Sequence, residues 1–184
     1  MAEVTSECPT LTDYLEGEQC HDNLAGVSPN LYIALKSDLE APLVLTGCTY
    51  SEPKFKAGKG FFKLECKDES NKIEGSLLGA NKGNKLTLNA VIDAVNSETA
   101  LLSRGLANLK WFAVVKDGEK WQIMYDPERK IKVDNDGIKT STGAASSDER
   151  TTTITATLQP VPFINLYVTI TDIEKLQHGY VAEP

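Results

Sequence analysis

The chain has 184 residues, enough for one well-packed core with arms or long loops and too few for two full cores. Hydrophobic residues make up 41% and charged residues 24%, which excludes a disordered chain. The 26 acidic against 19 basic side chains leave a formal charge of -7, which repels a phosphate backbone and excludes a conventional nucleic-acid reader.

Residues 1–30 mix turn formers and scattered charge, with Pro9, Gly17, Gly26 and Pro29 breaking any regular element, and read as an irregular arm or lead-in. They lack the basic head and apolar stretch of a signal peptide, and no run in the chain approaches the ~20 apolar residues of a membrane span. A soluble product made in a cytosol is expected, with no membrane partner and with Cys8, Cys20, Cys48 and Cys66 reduced. Residues 31–184 read as a single domain. Leu31–Leu35 is the first clear strand and Leu43–Thr49 the second. Lys59–Lys67 alternates Phe62, Leu64 and Cys66 on one face with Lys63, Glu65 and Lys67 on the other, the period of a half-buried strand. Lys72–Gly79 and Lys85–Ile92 follow as strands around a turn at Ala80–Asn84.

One segment reads as a helix. Ser97 is placed to cap it, Glu98 suits the positive end of its dipole, and Leu102, Leu106 and Leu109 recur at helical spacing, with Gly105 weakening it slightly. Trp111–Lys116 and Lys120–Tyr125, rich in aromatic and branched residues around Asp117-Gly118-Glu119, give the strongest hairpin signal. Asp134-Asn135-Asp136-Gly137 reads as a turn between strands, and Thr140–Arg150 as a long mobile loop. The β-branched, alternating Thr151–Gln159 and then Phe163–Thr171 close the pattern, with Thr151–Gln159 expected at a sheet edge. About eight strands and one helix predict a mainly β fold, a sandwich or barrel with one flanking α-helix.

The residues that carry chemistry elsewhere are sparse. Cys20 adjoins His21, but adjacent residues seldom hold one metal and no CxxC pair exists, so no metal site is expected. Ala57-Gly58-Lys59-Gly60 lacks the spacing of a phosphate loop, and Asp134–Gly137 loses the oxygen-ligand spacing of a calcium loop at Ile138. His21 and His178 lie in irregular terminal regions, and no serine sits in a nucleophile elbow. Trp111, Phe112, Trp121 and Tyr125 suit either a glycan-stacking platform or a packed core. The expectation is a protein that is no enzyme, with no catalytic residue and no cofactor.

The order of parts over roughly residues 55–172 resembles the major tail tube proteins of long-tailed bacteriophages, particularly those of phages and prophages of Bacteroides-like bacteria. The parts in question are the early hairpin, the Ser97–Leu109 helix, the Lys110–Tyr125 hairpin, and Ser141-Thr142-Gly143-Ala144-Ala145 leading through Asp148-Glu149-Arg150 into the Thr-rich strand. The resemblance implies a virion protein whose copies form stacked rings, usually hexameric, around a channel that genomic DNA passes without specific binding, in contact with other tail proteins. A net negative chain fits such a channel, because like charge avoids the counterion release that drives binding. Asp136–Arg150 and residues 1–30 are then expected to make contacts between rings. Two other readings stay open: another virion part, such as a tail terminator, connector or capsid decoration protein, and a β-domain that binds a glycan or receptor.

Overall fold

The computed structural model describes residues 27–79, 83–143 and 149–180. They form a mainly β fold of two sheets with one flanking helix, a β-sandwich as the sequence predicts. The strands are β1 (Val27–Leu35), β2 (Leu45–Thr46), β3 (Thr49–Tyr50), β4 (Phe62–Glu65), β5 (Lys72–Leu78) and β6 (Gly83–Ile92), then β7 (Trp111–Asp117), β8 (Lys120–Met124), β9 (Lys132–Ser141), β10 (Thr151–Val161) and β11 (Tyr167–Val168). Helix α1 (Ser97–Asn108) falls between β6 and β7.

The larger sheet runs β2-β3-β11-β8-β7-β1-β4 and the smaller β5-β6-β10-β9. The hairpin β7–β8 forms as the sequence predicts: Asp117 pairs with Lys120, and Gly118 takes φ 58°, a conformation cheap for glycine in a two-residue turn. Strand β1, next to the edge strand β4, lies antiparallel to both β7 and β4. It starts at Val27, earlier than expected, because the register shift between Val27 and Leu31 accommodates Pro29 inside the strand as a bulge.

Alternation along β1 sends its side chains to opposite faces. Tyr32 belongs to an aromatic cluster with Phe61 and Trp121, and Phe61 in turn meets Phe55 and Phe112 edge-on or nearly so. Leu39, Leu43, Ile173 and Leu176, from the segments before β2 and after β11, join this core. Leu31 and Ile33 face the other way with Ala113 and Val115, and these four are nearly inaccessible, as are Leu86, Leu88, Ile154 and Leu158 of the smaller sheet. Each such leucine, isoleucine or valine contributes about 1.5–3 kcal/mol on burial.

Several local expectations change. Leu43–Thr49 is no continuous strand: Gly47, at φ 61°, turns the chain and splits it into β2 and β3. Asp134–Gly137 is no turn between strands but an irregularity inside β9, where Val133 pairs with Ala156 and Ile138 with Ile154. Thr140 and Ser141, placed in a loop, are the end of β9, and Ala144–Asp148 lie outside the described residues. Strand β10 is not an edge: it pairs with β6 on one side, from Thr152 to Val161, and with β9 on the other, from Thr151 to Thr157. Of Phe163–Thr171 only Tyr167 and Val168 are strand. The helix cap is Asn96 rather than Ser97; its side chain accepts from the Thr99 amide while Thr99 reaches back to the Asn96 amide, a reciprocal box.

Candidate functional site

The aromatic hairpin is a core element. Trp111, Phe112 and Tyr125 are buried, and Trp121 is half-buried beneath the Lys116 ammonium. Indole Nε1 of Trp111 donates to the Leu106 carbonyl at 2.8 Å, which ties α1 to β7. These rings therefore hold the fold together, as aromatic pairs in a hairpin commonly do.

The tie leaves α1 only partly seated. Leu106 is buried, but Leu101 is 70% and Leu109 47% exposed, and the neighbouring Phe62 is 45% exposed. The alternation read in Lys59–Lys67 is correct, yet Phe62 and Leu64 face α1 and only Cys66 is buried; the aromatic in the core is Phe61. Between helix and sheet runs a groove of about 230 Å³ lined by Ile33, Leu35, Phe62, Leu64, Leu102 and Leu109. Its wall is almost wholly apolar, and such a surface marks a place where another chain docks more often than a catalytic centre.

The groove ends at the ring of Phe62, on which His178 stacks at 4.8 Å between centroids. Gln177 and Gly179, on either side of His178, help to line a second hollow, also about 230 Å³, together with Lys56, Lys59, Lys175, Phe55, Gly58 and Tyr180. The Ala57–Gly60 run shapes it. Gly60 lets the backbone of Leu176–His178 approach so closely that a β-carbon would lie 2.4 Å from the Leu176 carbonyl oxygen, and the Phe61 amide donates to that same oxygen. Lys56 donates to the Ser37 carbonyl at 2.7 Å and Lys175 meets Asp172 at 3.3 Å. The hollow is thus a cationic pocket of exposed lysines, and among the described residues its lining contains no carboxylate.

Buried polar groups elsewhere serve the fold. The Lys36 ammonium donates to the carbonyls of Asp126 and Arg129 over the Tyr125 ring, and burial lowers its pKa while Asp126 opposes that shift. Asp126 accepts from the amides of Glu128 and Arg129, pinning the bend after β8. Burial pushes the Cys66 thiol up to about 11, and Cys48 is exposed. Cys8, Cys20 and His21 lie outside the described residues. Among the described residues no three His, Cys, Asp or Glu side chains gather as a metal site, and no helix is long and apolar enough to cross a membrane.

Neither the groove nor the lysine hollow was foreseen. The groove joins side chains from separate stretches of the chain, and the helix leucines that line it, Leu102 and Leu109, read in the sequence as part of an ordinary packed face. Compared with protein-family models, with curated proteins and with solved structures, the chain finds no match.

Proposed function

We propose that the chain is a structural subunit that assembles with copies of itself, of the kind that forms phage tail tubes as stacked, usually hexameric rings around a DNA channel. The observation that carries this reading is the apolar groove beside α1, an accessible surface suited to protein rather than to a small polar substrate. The fold agrees with the resemblance in its order of parts, a sandwich with its helix set between the early strands and the aromatic hairpin. Because β10 is central, lateral pairing falls to the true edges: β5 and β9 in the smaller sheet, and β2 and β4 in the larger. Closed rings require such edges to meet a different surface on the next copy.

The test is electron microscopy of the full-length protein over a concentration series, with light scattering for mass. Rings or hollow tubes of uniform diameter are expected. A closed oligomer that never stacks would replace the tube reading with a terminator or decoration role, and a monomer at every concentration that binds a glycan saturably would replace it with a binding module.

A further inference from the structure

The charge of this protein is unevenly placed. Residues 1–26 contain Glu3, Glu7, Asp13, Glu16, Glu18 and Asp22 and no lysine or arginine, so they carry -6 of the formal -7, and residues 27–184 are close to neutral. The same segment holds Leu11, Tyr14, Leu15 and Leu24 among its acids. An acidic stretch punctuated by apolar side chains matches in chemistry two hollows, one lined by lysines and the other apolar, that are linked through the stack of His178 on Phe62.

Residues 1–26 are long enough to reach the hollows of their own copy or of a neighbour, and the self-assembly proposed above makes a neighbour the host. The segment joins the fold at Val27, whose partner Asp117 begins the β7–β8 turn. The two hollows sit at the opposite end of β1, where Leu35 lines the groove and pairs with Trp111. At about 3.3 Å per residue the two ends of β1 are roughly 26 Å apart. In copies stacked end to end, the segment leaving one copy emerges beside the hollows of the next. We propose that residues 1–26 of one copy dock on the Leu35 end of a second copy, with carboxylates against Lys56, Lys59 and Lys175 and apolar side chains in the groove beside Phe62. The contact is head-to-tail, so it propagates instead of closing on itself as a symmetric dimer.

The inference deepens the self-assembly reading by naming the contact between stacked copies, and the experiment separates the two. Full-length protein, half of it isotopically heavy, is treated with a carbodiimide that joins carboxylates to lysines without a spacer, at a concentration where light scattering shows association. Mixed heavy–light cross-links from the acids of residues 1–26 to Lys56, Lys59 or Lys175 are the expected result. The variant K56E/K59E/K175E alters exposed side chains only. It should keep its circular dichroism and melting curve while associating roughly tenfold or more weakly. Cross-links within single copies only, links spread evenly over the surface lysines, or unchanged association of the folded variant would each overturn the inference. Mixed links from an oligomer that forms no tube would keep the docking contact and discard the tube.

Discussion

Gly75 shows how a single missing β-carbon positions a whole segment. It lies in β5 opposite Leu86, and a β-carbon added there would sit 1.7 Å from the carbonyl oxygen of Ile164. The obstacle is backbone, which cannot swing aside as a side-chain tip can, so the link from β10 to β11 crosses at this point only because the residue is glycine. Gly75→Ala should therefore destabilise the protein by about 1–3 kcal/mol, toward the upper end, and lower the melting temperature in a calorimetric scan by several degrees. Gly105→Ala is the control: its nearest neighbour is the Leu109 side chain at 3.8 Å, and the exchange in a helix should leave stability unchanged or raise it by up to ~1 kcal/mol. From sequence alone the two glycines look equally dispensable, since neither reveals what passes near it. Phe61 and Phe62 pose the same difficulty: adjacent and identical, they take opposite faces, and only the register against Ile33 decides which ring enters the core.

Among the elements, the hairpin β7–β8 was legible because every signal agreed: branched and aromatic residues on both arms and a glycine where the turn needs one. Helix α1 was legible in extent but not in its cap. Ser97 and Asn96 are both good caps, and the reciprocal bonds between Asn96 and Thr99 decide between them. Asn96→Ala should cost about 1 kcal/mol of unfolding free energy, whereas Ser97→Ala should change it by less than ~0.5 kcal/mol; denaturant titration of the two variants distinguishes them. Strand β9 was missed because its charged and turn-forming residues lie in a bulge, which carries the same composition as a loop. Strand β10 was legible as a strand but not as a central one. Its alternation of threonine with apolar residues reports one buried face and says nothing about whether both backbone edges are paired.

For the molecule as a whole, the class of fold was readable from strand signals and the single helix, but the apolar groove and the lysine hollow were not. The groove draws on Ile33, Phe62 and Leu109, which sequence separates by dozens of residues and the sheet brings together. Alkaline pH tests how far the two faces of the larger sheet depend on one another. Burial pushes Cys66 from its ordinary 9 to about 11 and Tyr50 from 10 to about 12, so folding favours the protonated form of both. Their contribution is fully present below pH ~9 and is lost as pH rises through the folded values of about 11 and 12. Unfolding followed by tryptophan fluorescence should set in above pH ~9, and Cys66→Ala should shift its onset upward. A pH-independent signal between 9 and 12 would contradict the burial of these groups.

Strand β1 carries one more consequence, a mechanical one. It is held on both sides by antiparallel neighbours, whose hydrogen bonds lie perpendicular to its axis. Tension applied at Val27 through the preceding chain pulls along that axis. It loads the bonds to β4 and β7 in shear, many together, instead of peeling them apart one at a time. A strand so placed resists a pull at Val27 better than an edge strand would.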